Sequence, residues 1–311
     1  MPLTLAPILL FCYNRPGHVR QTVASLKQNP LASRSRLYVF SDGPKNKPAI
    51  RLVAEVRAFL PQISGFAEVI LHESPENRGL AASVIRGVTQ VLEKHGKAIV
   101  LEDDLEVTPD YLDFMNAALD TYASRPDVFS VGGYLPPIVL PADYPDEVLL
   151  LPRASSWGWG TWLDRWQQVD WDMNYYDELV RNPAARREFT RGGEDLWPML
   201  QKQRRGLISS WAVRWSYAHT AHHAYCLHPI GAKVRSTGAD GSGTHVNNTR
   251  RYDVKLDEKP VVLNSDVQPD ERLERNLRAY FRLSLYRKII NFFKFTLPER
   301  LSNSPPDRPT S

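Results

Sequence analysis

A chain of 311 residues, 42% hydrophobic and 24% charged, has room for one large α/β domain with appendages and an ordinary globular composition. A formal net charge of +4 is small for this length and does not indicate a nucleic-acid binder, whereas a pI near 9.0 suits anionic small molecules or an anionic lipid surface. Two cysteines far apart, Cys12 and Cys226, argue against a disulfide-built secreted protein and favour a reducing cytoplasm.

The start, Leu3 to Phe11, is apolar but lacks a basic n-region and a small-residue cleavage site, so it reads as a buried strand. No run reaches the length of about 18 apolar residues that spans a bilayer. Ala6 to Tyr13 is a first strand, broken by Asn14-Arg15-Pro16-Gly17 and followed by Val19, Val23 and Leu26 at helical spacing. Leu37 to Phe40 is a second strand ending in Ser41-Asp42-Gly43-Pro44, and Ile50, Val53, Val56, Phe59 and Leu60 mark a helix. Ala67 to Leu71 is a third strand, before a polar loop and a helix from about Leu80 to Lys94. Ala98 to Leu101 is a fourth, stopping at Glu102-Asp103-Asp104. Continuous apolar strands alternating with helices predict a mostly parallel sheet covered on both faces.

In such sheets ligands bind outside the carboxyl ends of the strands. The groups expected to converge there are Tyr13, Asn14 and Arg15, then Asp42, then Asn77 and Arg78, then Glu102 to Asp104. Three adjacent carboxylates repel one another. Either they form a solvated acidic turn, or a divalent cation such as Mg²⁺ or Mn²⁺, bridging a diphosphate, resolves the repulsion.

Past residue 125 the pattern loosens. Val128 to Val131 reads as a strand, and Ser155 to Trp162 is dense in indoles and glycine. Those indoles either stack on sugar rings or fill the core. Trp211 to Tyr217 follows, where Arg214 either forks onto a diphosphate or pairs with a carboxylate. In the stretch Gly238 to His245, His245 is either a second metal ligand or a capping residue. His219, His222, His223 and His228 lack zinc spacing and read as structural or solvent-facing. From Arg272 to Leu297, Leu273, Leu277, Phe281, Leu285, Ile289 and Phe293 recur every four residues among basic side chains. That basic amphipathic helix either lies on an anionic membrane surface or packs on its own domain.

Glu102-Asp103-Asp104-Leu105-Glu106-Val107, with Pro109-Asp110 after it, resembles the metal-binding segment of the N-acetylglucosaminyltransferase I family. The resemblance implies that Asp104 ligates Mn²⁺ and that Asp103 contacts the nucleotide sugar. Cys12-Tyr13-Asn14-Arg15 resembles the segment whose arginine meets the nucleotide, and Ser41-Asp42 the one whose aspartate contacts uracil. Ser156 to Trp162, Ser210 to Trp215 and Asp240 to His245 resemble bacterial family 2-like sugar transferases. This likeness implies roles for Trp211 and Arg214 in holding the nucleotide sugar. Glu194-Asp195 resembles the acidic pair that carries the general base in family 2, which puts Asp195 forward, with Asp240 the second candidate. Where the N-acetylglucosaminyltransferase I family has an aspartate before a tryptophan, this chain has Ser209-Ser210-Trp211.

Together the resemblances imply a GT-A glycosyltransferase that moves a sugar from a nucleoside-diphosphate sugar, a UDP-sugar, to a glycan or lipid-linked glycan acceptor. Surface polysaccharide or glycolipid synthesis, inversion, and a cytoplasmic place on the inner membrane face belong to the same expectation, and nucleic acid does not. The expected division is 1–265 for the transferase domain (1–104 for the nucleotide, 105–265 for the acceptor), 266–298 for a basic amphipathic extension and 299–311 for a disordered tail. A sugar nucleotidyltransferase would carry a longer Gly-rich loop after the first strand, a dehydrogenase a G-x-G-x-x-G there. A non-catalytic sugar-binding relic of the same fold is the remaining alternative.

Overall fold

The computed structural model describes residues 4–238 and 249–296. Asp240, His245 and the tail 299–311 lie outside the described residues. The first half alternates strand and helix: β1 Ile8–Cys12, α1 Pro16–Lys27, β2 Arg36–Ser41, α2 Lys47–Phe59, β3 Glu68–Glu73, α3 Leu80–His95 and β4 Lys97–Glu102. Then come β5 Leu105–Val107, α4 Tyr111–Thr121, β6 Val128–Gly132, β7 Val148–Leu151, β8 Trp159–Trp162 and α5 Leu163–Trp166. Four helices follow, α6 Tyr176–Arg181, α7 Pro183–Phe189, α8 Leu196–Arg204 and α9 Trp211–Ala221. The chain returns through β9 Tyr225–Pro229 and β10 Val234–Ser236 to α10 Glu271–Tyr280 and α11 Leu285–Asn291.

Eight strands form one sheet in the order β3-β2-β1-β4-β8-β6-β9-β7. It is parallel through β3-β2-β1-β4 and again at β6-β9, and antiparallel where β8 and β7 insert. The all-buried run of β1 has a physical cause: hydrogen-bonded on both edges and covered on both faces, it offers water nothing. Alternate residues serve opposite faces. Ile8, Leu10, Val39, Ile99 and Leu101 pack with α1, α2 and α4, whereas Leu9, Phe11, Tyr38, Ala98 and Val100 pack with α3, α5 and α9. The second face is aromatic. Trp159 stacks on Trp211 at 4.9 Å between centroids and on Trp166 at 5.7 Å, and Trp166 meets Trp215 at 5.3 Å. The indoles Trp159, Trp162, Trp166, Trp211 and Trp215 are all buried, so they fill core.

The C-terminal stripe is not one helix. It breaks between Phe281 and Ser284, and α10 buries Leu273, Leu277 and Phe281 against Leu135, Leu149 and Leu151 at the β7 edge. Asp270 caps α10, its side chain accepting from the Arg272 amide. By contrast α11 buries none of its residues and leaves Leu285, Tyr286 and Ile289 exposed, with Phe293 just beyond it.

Lys233, just before β10, is fully buried. Its Nζ donates to Asp110 Oδ2 at 2.7 Å, the Asp257 carbonyl at 2.7 Å and the Lys259 carbonyl at 2.5 Å. One ammonium thereby ties the irregular segment around 257–259 to the start of α4. Lys233→Met removes the charge and leaves these acceptors unpaired. We expect a loss of about 3 kcal/mol, the low end for breaking a buried ion pair because Asp110 keeps some water access. A urea midpoint within error of wild type would show that the tie contributes nothing.

Candidate active site

The strand order 3-2-1-4 means that the chain moves outward from β1 and then jumps back past it, which makes the β1/β4 junction a topological switch point. The turn after β1 and the acidic triplet after β4 meet there. Arg15, the N-cap residue of α1, places Nη2 at 2.6 Å from Asp103 Oδ1 and 3.0 Å from Asp104 Oδ2. The Tyr13 amide donates to Asp103 Oδ2 at 3.1 Å, and Thr22 Oγ1 donates to the Asp103 carbonyl at 2.8 Å. The small β5–β10 ribbon returns residues 236–238 over this group. Both the amide and the hydroxyl of Thr237 donate to the Asp104 carbonyl, at 2.8 and 3.1 Å, and His18 Nε2 lies 3.4 Å from the Thr237 carbonyl. A Cβ on Gly238 would stand 1.9 Å from Asp104 Oδ2, so only glycine lets the backbone pass so close.

The mutual repulsion expected of the triplet is resolved differently from the way a bare acidic turn suggests. Arg15 lies between Asp103 and Asp104 and offsets part of their charge, while Glu102 still feels both. Burial works against the Arg15 charge, but Asp103 and Asp104 outweigh it and hold its pKa above the ordinary value. Burial likewise raises Asp103, against the opposing pull of Arg15. Glu102 is pushed up to about 8 by burial and then by Asp104 and Asp103. Among the described residues, nothing hydrogen-bonds Arg15 Nη1 or Asp104 Oδ1, although both atoms are buried. No group of three or more His, Cys, Asp or Glu able to hold a metal occurs among the described residues.

Asp42 is buried and its carboxylate is saturated within the chain. Oδ1 accepts from the Gly43 and Arg78 amides at 2.9 Å each, and Oδ2 from Asn77 Nδ2 at 3.1 Å and the Gly79 amide at 2.9 Å. Asn77 Nδ2 also donates to the Gly43 carbonyl at 2.8 Å. A Cβ on Gly43 would sit 2.5 Å from the Glu76 carbonyl carbon. Asp42, Gly43 and Asn77 therefore clasp the loop before α3 to the end of β2, with the Asp42 oxygens accepting four bonds from within the chain. The exposed Arg78 side chain donates from Nε to Ser74 Oγ at 3.0 Å.

Three more expected site residues have other employment. Trp211 is buried in the indole stack. Arg214 donates to the Ser210 and Trp171 carbonyls at 3.1 and 2.7 Å on the aromatic face, where burial lowers its pKa. Asp195 is bound bidentately by Arg153, at 2.8 and 3.0 Å, and Arg153 in turn lies 3.8 Å over the Phe281 ring. That pair belongs to the β7 edge, four strands from β4, roughly 19 Å at the usual spacing. Its neighbour Glu194 accepts from the Leu283 amide and Lys288. The acidic pair fastens the C-terminal helices, which a short motif match cannot distinguish from a base. Of the expected groups, Tyr13, Asn14, Arg15, Asp103 and Asp104 are brought together. Thr22, His18 and Thr237 join them unannounced by any motif. The one signal was that Thr237 directly precedes the stretch Gly238 to His245.

Asp42→Ala should destabilise the protein by at least about 2 kcal/mol, since it strands buried amide donors. Unchanged urea stability together with weakened nucleotide binding would return Asp42 to the ligand.

No family model matches the chain. It is 29% identical over 100 residues to a glucosyl-dolichyl phosphate glucuronosyltransferase of Haloferax volcanii, covering 31% of this chain and 30% of that protein. It is 26% identical over 124 residues to an alpha-1,3-mannosyl-glycoprotein 2-beta-N-acetylglucosaminyltransferase of Arabidopsis thaliana, covering 37% of this chain and 28% of that one. The chain thus spans less than a third of the length of either relative. Looser overlaps join it to the mannosyltransferase PcManGT from Pyrobaculum calidifontis in complex with GDP-Man and Mn²⁺ (TM-score 0.34, 13% identity, 54% of this chain and 49% of that one) and to S. aureus TarS (0.34, 9%, 53% and 30%). Both sequence relatives bear the names of sugar transferases.

Proposed function

We propose that the crevice at the β1/β4 switch point binds the diphosphate of a nucleoside-diphosphate sugar, and that the chain is a GT-A-type glycosyltransferase. The observation that carries this reading is the Arg15–Asp103–Asp104 group with two buried atoms, Arg15 Nη1 and Asp104 Oδ1, lacking partners among the described residues. A guanidinium edge with donors to spare fits a phosphate. One open carboxylate oxygen fits Mn²⁺ or Mg²⁺, whose remaining ligands come from diphosphate and water. Asp104 would hold the cation, and His245 is the second ligand in this reading. Bound there, it supplies neutralisation of the charge that develops on the leaving diphosphate.

The chain's own groups do the positioning. Asp103 and the Tyr13 amide set the guanidinium, Thr237 sets the Asp104 main chain, and Asn14 sits half-buried beside them. Transfer needs a base within hydrogen-bond reach of the acceptor hydroxyl. With Asp195 held by Arg153, that role passes to Asp240 in this reading. A UDP-sugar donor, an inverting course and a glycan or lipid-linked glycan acceptor of bacterial surface polysaccharide or glycolipid synthesis rest on the resemblances given above. The name of the Haloferax volcanii relative points the same way, to a dolichyl-phosphate-linked sugar.

An acceptor of that kind is met at a membrane surface. Among the described residues, no helix is long and apolar enough to cross a membrane. What supports surface contact is α11 and the turn after it, where Leu285 and Phe293 are 74% and 61% exposed beside the exposed Arg287 and Lys294.

Two measurements test this. UDP or GDP with Mn²⁺, at about a hundred times Kd, should stabilise the protein by about 2.7 kcal/mol, and Asp104→Ala should lose the Mn²⁺-dependent part while staying folded. Metal dependence that survives in the folded variant removes Asp104 from the site. Sedimentation with anionic vesicles should weaken as salt rises, because charges are screened within about 8 Å at physiological ionic strength, and should fall in the Leu285→Ser/Phe293→Ser double variant. Unchanged sedimentation would make α11 a purely structural element.

A further inference from the structure

We propose that Arg15 is the resident counter-cation of the Asp103–Asp104 pair, and that it excludes divalent metal from Asp104 until an anionic diphosphate draws it away. This rests on the reading of the crevice as a nucleoside-diphosphate site. Arg15 Nη2 bridges both carboxylates, at 2.6 and 3.0 Å, so a cation on the open Oδ1 of Asp104 would stand close to the guanidinium charge. Two cations that close repel each other strongly in a partly buried setting. The Asp104 main chain is held in place by two bonds from Thr237, and Gly238 closes over Oδ2, so the carboxylate has little room to turn elsewhere. The group able to move is the Arg15 side chain, anchored on a helix N-cap and still carrying a buried Nη1 with no partner among the described residues. A diphosphate offers that nitrogen, and Nη2 with it, the paired acceptors that a guanidinium fork prefers.

Metal and nucleotide then help each other in. Once the anion has drawn Arg15 from Oδ2, Asp104 would hold a divalent cation at its open Oδ1 free of that repulsion, and the cation's charge would favour the anion in turn. Linkage makes this help reciprocal. The residue is thus a positioning group in the loaded site and a guard in the ligand-free protein. A lysine in its place keeps the charge but loses the fork.

The test reads Mn²⁺ binding rather than turnover. Free Mn²⁺ is followed by electron paramagnetic resonance in titrations of the wild-type protein, Arg15→Gln and Arg15→Lys, each alone and with saturating UDP or GDP. Wild type should bind Mn²⁺ weakly alone and more tightly with one of the nucleotides, by roughly 5–150-fold, the usual range of coupling between sites. Arg15→Gln should gain affinity for Mn²⁺ without nucleotide and lose most of the nucleotide-induced increase, while Arg15→Lys stays as weak as wild type without nucleotide. If Arg15→Gln shows no gain while its urea midpoint proves it folded, the inference is overturned and the site reading stands. Equal Mn²⁺ affinity of wild type with and without nucleotide overturns the inference even if Arg15→Gln fails to fold. Absence of Mn²⁺ uptake by wild type with either nucleotide overturns the site reading as well.

Discussion

One guanidinium makes the centre of this molecule possible. β1 and β4 are neighbours, apolar apart from Lys97 and Glu102 at the two ends of β4, and both end at the same point on the same edge. Chain geometry therefore forces Asp103 and Asp104 towards the turn after β1, where burial would make two uncompensated carboxylates expensive. Arg15 in that turn supplies the opposite charge from within hydrogen-bond distance of both. The rest of the crevice follows from it. The Thr22 hydroxyl holds the Asp103 carbonyl, the β5–β10 ribbon folds back over Asp104, and Thr237 closes the corner.

Half of this was legible in the sequence. The four parallel strands announced themselves because each is a continuous apolar run between helices of three to four turns, a pattern with few other solutions. Their polar ends were then bound to share an edge, so Arg15 and the acidic triplet could be placed together without coordinates. The second half resisted because β7 and β8 have only four residues each, too short to show a period, and β8 is made of tryptophan, glycine and threonine. An indole-rich segment looks like a sugar-stacking surface and like a core with equal ease. The neighbours decide, and here they are other indoles. The C-terminal stripe failed for a related reason: four-residue spacing continues unbroken through Phe281 to Leu285, while the backbone does not.

The acidic residues show what a sequence cannot reveal about its own carboxylates. Asp42, Glu194 and Asp195 all stood where a functional group was expected, and each is bonded to groups of its own chain. Asp42 accepts four bonds, Glu194 joins the C-terminal helices to the body, and Asp195 is gripped by both nitrogens of Arg153. A carboxylate has about four lone-pair sites. Residues that fill them within the chain hold the fold, and a residue that leaves one open is available for something else. Asp104 meets that second description, because Arg15 engages Oδ2 while Oδ1 has no partner among the described residues.

Hydrogen-bond capacity also explains why the site is built from a mixture of fixed and movable parts. The Asp103 side chain takes the Tyr13 amide as well as Arg15, so it is determined by backbone on one side and remains in place if the guanidinium shifts. Asp104 is fixed through its carbonyl and hemmed in by Gly238, which leaves the Arg15 fork as the variable element. A crevice whose charges were all fixed by backbone would be stable and inert. One held only by side chains would collapse onto itself when empty, since buried charge seeks a partner. Here the backbone carries the positions of the two aspartates and a single flexible cation offsets part of their charge. An incoming ligand then has only the Arg15 fork to draw from Asp103 and Asp104, and need not unfold anything to do so.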